Sequence, residues 1–277
     1  MKKKNIIAVV FDFDDTLGPD STSGFLNSLG VDVPGFWKEV DKMYLDHWDP
    51  VPAYLQKMIL LNQKLPEDKQ ITKSSLQKWG EKTPLYKGVE QVFEHLQELM
   101  SDVSIPIELE FYVISSGIEE VIRASRISKH FKDIWACDFE YDSDERIVFP
   151  KRIVSFTDKT RYLFDISKGL IGSDARTKPF DVNLKFAADE KRIPMDQMIF
   201  VGDGYTDVPC FSLIGKVGGI PLAVCDPEDR QKWGKAWGFM ESKRVLHWAM
   251  ANYELGSTLH GSLCMAIEKI IKRIEMR

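Results

Sequence analysis

Residues Ile6-Ile7-Ala8-Val9-Val10-Phe11 form an unbroken apolar run that stops at Asp12-Phe13-Asp14-Asp15. A run this short, with no polar alternation, reads as a strand buried on both faces, the mark of a parallel sheet. Acids at the carboxyl end of such a strand lie where open α/β sheets bind ligands. Strand side chains repeat with period two, so Asp12 and Asp14 leave on the same side if the extended geometry persists. Two carboxylates then share one small volume, and they repel unless a cation neutralises them or one stays protonated. Acids after a strand also cap helices and form turns, so the rest of the chain has to decide.

Two further apolar runs carry complementary chemistry. Phe111-Tyr112-Val113-Ile114 leads into Ser115-Ser116-Gly117, a hydroxyl with backbone N–H groups where the pattern predicts a helix over 118–127. Met198-Ile199-Phe200-Val201 leads into Gly202-Asp203-Gly204-Tyr205-Thr206-Asp207. Between the first two runs, segments around 35–47, 51–62 and 74–82 place Trp, Tyr, Leu and Met at helical spacing, punctuated by Pro50, Pro52 and Pro66. They predict a helical domain over 20–84, inserted into an α/β core made of 1–19 and 85–277. A helix over 89–100, a hairpin of 138–141 and 147–149 around a polar turn, a strand over 219–225 and an amphipathic helix over 259–274 follow. Strands alternating with helices give a doubly wound parallel sheet.

The order Asp12-x-Asp14-x-Thr16, then Ser115, then a lysine opening a helix, then Gly202-Asp203-Gly204-x-x-Asp207 resembles the haloacid dehalogenase-like superfamily. The helical insertion and the hairpin resemble its phosphoserine phosphatase-like branch. The resemblance implies a Rossmann-like core under an α-helical cap, and hydrolysis of a phosphate monoester. It makes Asp12 the nucleophile that forms an aspartyl phosphate and Asp14 the general acid and base. The superfamily's dehalogenase branch generally lacks an acid at the place of Asp14, so phosphoryl chemistry is expected. The resemblance also implies Mg²⁺ held by Asp12, Asp203 and the backbone carbonyl of Asp14. Asp207, four residues on, either ligates the ion directly or through water or orients Asp203, and the orienting role is the stronger expectation. Ser115 and the Gly117 N–H are expected at the phosphoryl oxygens, with Ser116 the competing hydroxyl.

The lysine has several candidates. Lys159 opens the apolar-periodic stretch 159–166, Lys168 closes it, and Lys178 and Lys185 lie in a polar segment inserted before Met195. Lys159 fits the lysine-then-helix pattern, and its ammonium would offset charge between nucleophile and phosphate. Aromatic residues Trp37, Tyr44, Trp48 and Tyr54, with Lys42, either line a substrate surface or build the cap's own core, and the core is the stronger expectation. Where phosphoserine phosphatases carry an acid-rich stretch, this chain has Gly18-Pro19-Asp20-Ser21. The expected substrate is therefore a small phosphorylated metabolite of unassigned identity. Phosphotransferases and mutases share the aspartyl phosphate, and a non-catalytic regulatory module would keep the fold without the acids.

The 277 residues carry a net charge of −5 and no basic, aromatic-interleaved stripe, so no nucleic-acid partner is expected. No apolar stretch approaches the ~20 residues that span a bilayer, and the run after Met1-Lys2-Lys3-Lys4 is too short for a leader. Cys137, Cys210, Cys225 and Cys264 lack metal-ligand spacing and read as free thiols in a reducing cytoplasm. The five histidines form no ligand motif with a neighbour. Oligomeric state is not legible in the sequence.

Overall fold

In the computed structural model, which describes residues 5–101, 103–187, 189–245 and 247–277, the first apolar run is the central strand. β1 (Ile6–Phe11) has neighbours on both edges and both faces, and Ile7 to Phe11 are completely buried. The other strands are β2 (Glu108–Ile118), β3 (Phe131–Tyr141), β4 (Ile147–Arg152), β5 (Met198–Gly202), β6 (Ile220–Cys225) and β7 (His247–Met250). Their order is β4-β3-β2-β1-β5-β6-β7, parallel throughout except for the β3–β4 hairpin. The chain builds outward from β1 through β2 to β4, then crosses back to place β5 on the other edge of β1. That reversal opens a crevice at the carboxyl ends of β1, β2 and β5.

Strand alternation sorts the core into two layers. Ile7, Val9 and Phe11 face α5 (Val89–Glu98) and α11 (Thr258–Glu275), while Ala8 and Val10 belong to the layer containing α7 (Asp158–Lys168) and α9 (Val208–Lys216). Between β1 and β2 come α1 (Ser21–Ser28), α2 (Val33–Leu45), α3 (Pro50–Asn62) and α4 (Lys73–Gly80). Asp20 starts α1 by accepting from the N–H groups of Thr22 and Ser23, and Thr72 starts α4 in a reciprocal cap with Ser75. These helices pack on the core: α4 lies on α6 (Glu119–Ala124) and α3 on β4. α8 (Gly172–Arg176) and α10 (Arg230–Glu241) complete the helices. No helix among the described residues is long and apolar enough to cross a membrane.

Three elements differ from the sequence expectation. β2 does not give way to a helix at Ser115; it continues to Ile118, because Ile118 pairs with Cys137 of β3 across a register shift. The following helix then shrinks to the six residues of α6. β3 begins at Phe131 rather than at Asp138, its first half pairing parallel with β2. Lys132 and Asp133 hide that strand, yet Asp133 is buried and accepts from Arg176 at 2.7 Å.

Glu110 on β2 illustrates how the sheet accommodates charge. Burial opposes its ionised form, but Arg192 and the Tyr112 hydroxyl donate to it, and together they hold its carboxyl below the usual range. A depressed carboxylate stabilises the fold above its unfolded value of 4.5 and loses that contribution as pH falls through the lower folded value. Arg192→Ala should therefore destabilise the protein by about 1–3 kcal/mol at neutral pH, where it strands a buried carboxylate. The deficit should shrink below the unfolded value as Glu110 becomes neutral in both proteins. Urea titrations at pH 7 and in acid measure both.

Candidate active site

Three loops at the crevice bring the candidate residues together. After β1 the chain turns tightly: the Phe13 carbonyl accepts from the N–H groups of Thr16, Leu17 and Gly18. Asp15 takes a left-handed conformation, φ 56°, to make the turn. Asp12 is anchored by its N–H to the Val201 carbonyl of β5 (2.9 Å), and its carboxylate accepts from Phe13 N–H (2.7 Å). Asp14 has partners of its own: one oxygen accepts from Ser21 N–H at 2.8 Å, and the other lies against Gly117, where a Cβ would fall 2.3 Å from it. Burial first, then the charge of Asp20, raises the Asp14 carboxyl well above its ordinary value.

Lys159, at the start of α7, is completely buried and donates to both Asp12 (2.8 Å) and Asp207 (2.7 Å). Burial works against its charge, but those two carboxylates outweigh it, and the ammonium titrates above the normal lysine range. The other Asp207 oxygen accepts from Gly204 N–H at 2.9 Å. Gly202 permits this approach, since a Cβ there would stand 2.4 Å from the Asp207 carboxylate. Burial, reinforced by Asp12, raises Asp207 despite the opposing ammonium. Among the described residues, Asp12, Asp203 and Asp207 form the one group of three metal-capable side chains whose ligand atoms lie within 4.8 Å of one another. Three buried carboxylates are the oxygen-donor set of a hard divalent cation. The Asp14 carboxylate is outside this group.

Ser115 is buried, and its Oγ accepts from Gly117 N–H at 3.0 Å. Because β2 continues through this segment, these groups lie in a bulged strand rather than at a helix start. Ser116 Oγ is buried without a partner among the described residues, while the Ser116 carbonyl accepts from the Tyr54 hydroxyl (2.5 Å) and the Cys137 thiol (3.3 Å). Burial raises both donors, the thiol up to about 11, so each keeps its proton. Tyr54 thus joins α3 to the β2 loop. In sequence it is one more aromatic at helical spacing, and a contact spanning 62 positions leaves no local signal.

The remaining candidates lie elsewhere. Lys168 donates to the carbonyls of Val182 and Leu184 (2.5 and 2.6 Å), pinning the polar segment rather than approaching the acids. Lys178 lines a separate cavity. Trp37 and Tyr54 pack together with ring centroids 6.0 Å apart, as expected for a helical core, whereas Tyr44 and Trp48 are exposed. Lys42 pairs with Glu39 on the surface. All four cysteines are free.

The fold is found in known structures. The chain has the fold of the haloacid dehalogenase-like superfamily, in the form taken by phosphoserine phosphatases. A haloacid dehalogenase family hydrolase from Salmonella enterica serovar Typhi superposes with a TM-score of 0.57 at 14% identity, over 88% of this chain and 66% of that one. The chain thus spans just under two thirds of that hydrolase. A phosphoserine phosphatase holding a phospho-aspartyl intermediate analogue gives 0.53 at 15% identity, over 89% and 93% of the two chains. A probable phosphoserine phosphatase from Vibrio cholerae gives 0.56 at 11% identity, over 98% and 67%. In sequence, the chain is 24% identical over 295 residues to an uncharacterized protein of Borreliella burgdorferi, covering 96% of this chain and 99% of that one. No model of a known protein family matches the chain.

Proposed function

We propose that the protein is a magnesium-dependent phosphomonoesterase acting on a small phosphorylated metabolite through an aspartyl phosphate on Asp12. The observation that carries this reading is the buried Lys159 ammonium clamped between Asp12 and Asp207, with Asp203 alongside. Three carboxylates facing one ammonium leave excess negative charge in a buried volume, which a divalent cation balances. Bound Mg²⁺, held by Asp12, Asp203 and the Asp14 carbonyl, would neutralise phosphoryl oxygens.

In this mechanism Asp12 attacks phosphorus, the ester P–O bond breaks, and Asp14 gives its proton to the departing alkoxide. Asp14 then takes a proton from the water that attacks the aspartyl phosphate, releasing inorganic phosphate and restoring Asp12. The raised Asp14 carboxyl supports its role as the acid. Ser115 Oγ and Gly117 N–H, which bond to each other in the free protein, would exchange that contact for phosphoryl oxygens. Asp207 orients Lys159 and the Gly204 turn from behind. Residues 20–84 serve as the cap that covers the crevice and excludes water. Four free cysteines and the absence of a membrane-length helix among the described residues support a cytoplasmic setting.

The test is release of inorganic phosphate from a panel of esters, including amino-alcohol phosphates and nucleotides, with and without Mg²⁺. Failure to hydrolyse any of them with the metal present would reject the reading. Asp203→Ala should abolish calorimetric Mg²⁺ binding and leave activity unrecoverable at ordinary metal concentrations. Unchanged affinity would move the metal elsewhere.

A further inference from the structure

Residues 170–179, in a segment to which the sequence assigns no role, wall a cavity of about 600 Å³ that shares no residue with the acidic site. The volume suits a small organic molecule. The segment is held in place by specific bonds. Gly172 N–H donates to Asp133 at 2.7 Å, and Arg176 donates to Asp133 and to the Ile134 carbonyl, each at 2.7 Å. The other wall is the face of α7 opposite Lys159, together with Trp135, whose ring stacks on Tyr162 at 5.4 Å between centroids.

One group in this cavity lacks what its neighbours have. Glu119 accepts from Arg123 at 2.6 Å and Arg152 at 2.7 Å, and Asp133 is satisfied by Arg176 and by Ile134 N–H. Asp165, whose side chain is only 10% exposed, has no hydrogen bond to its carboxylate among the described residues, and its ion partner Arg161 stands 3.9 Å away. The carboxylate therefore meets the cavity with its hydrogen-bonding capacity open. Burial pushes Asp165 up to about 6 against the opposing charges of Arg161 and Lys168, and a further cation beside it would lower it. Besides Arg176, three exposed cations line the same cavity: Lys151 pairs with Asp138 and Glu140 at 3.9 and 3.8 Å, Arg161 is the distant partner of Asp165, and among the described residues Lys178 has no ion pair.

We infer that this cavity binds a small zwitterion, its ammonium donating to Asp165 and its carboxylate or other anionic end meeting Arg161 and Lys178. The inference does not depend on the phosphatase reading, because the two sites share no residue.

Calorimetry on the full chain with ω-amino acids from glycine to 6-aminohexanoate tests it, with butyrate and butylamine as single-charge controls. None of these carries a phosphate to compete for the acidic site. We expect one chain length to bind best, and each control to bind at least about tenfold more weakly. Asp165→Asn, close in size to the native residue, should weaken the best ligand at least about tenfold, and so should Arg161→Gln on the surface. Asp12→Asn should leave the affinity unchanged. The inference is overturned if no member binds at millimolar concentration, if affinity survives both cavity substitutions, or if it is lost in Asp12→Asn.

Discussion

Asp12→Asn should yield a folded protein whose turnover falls by about 10⁴-fold or more, since loss of a covalent nucleophile removes the intermediate itself. Folding should be largely preserved. The substitution keeps the side-chain shape and removes one negative charge from a cluster whose three carboxylate oxygens lie within 4.8 Å of one another, so internal repulsion falls. Lys159 keeps its 2.7 Å partner in Asp207. Steady-state phosphate release and a urea titration on the same preparation separate the two effects. Acid-quenched native enzyme should retain phosphate from a labelled substrate, and the variant should retain none. Near-normal turnover by a folded variant would remove Asp12 from the nucleophile's role.

Lys159→Ala should affect both activity and stability. A preorganised charge in a water-poor site supplies about 3 kcal/mol of transition-state stabilisation, so kcat should fall by roughly two orders of magnitude. The same substitution leaves Asp12 and Asp207 without the ammonium that contacts both, and removing one member of a buried ionic group costs about 3–5 kcal/mol. Lys168→Ala, two and a half turns along the same helix, should leave kcat unchanged. It forfeits the hydrogen bonds to Val182 and Leu184, so its cost should be about 1 kcal/mol of stability, with faster proteolysis near residue 184. A large kcat loss in Lys168→Ala with an active Lys159→Ala would exchange their roles.

What the sequence revealed depended on how locally each feature is encoded. β1 and β5 are legible because a strand buried on both faces must be continuously apolar, and the acids that follow stand out against it. The helices before β2 show through their periodicity, within two residues at most boundaries, although the eight-residue α1 is too short and too polar to announce itself. The first half of β3 is hidden because Lys132 and Asp133 break its apolar pattern, and the compensating Arg176 lies 43 positions away. Ser115 to Gly117 looked like a helix start because serine and glycine serve both uses, and only pairing with β3 keeps the chain extended. The convergence of Asp12, Lys159, Asp203 and Asp207 was legible as a family pattern. The Tyr54 contact to the Ser116 carbonyl is purely tertiary, and no local pattern encodes it.

The central place of β1 shapes how the molecule comes into being. Residues 6–11 pair with 108–113 on one edge, and residues 8–11 pair with 198–201 on the other. During synthesis β1 therefore waits roughly a hundred residues for one partner and roughly two hundred for the other, a topology of high contact order that folds slowly. Until then a wholly apolar strand has both edges unpaired, the kind of segment through which nascent chains associate wrongly. The acidic crevice cannot exist in any shorter N-terminal fragment, because Asp12 meets Asp203 and Asp207 only after β5 has docked. Synthesis thus withholds the cluster of three acids until the chain has passed residue 207.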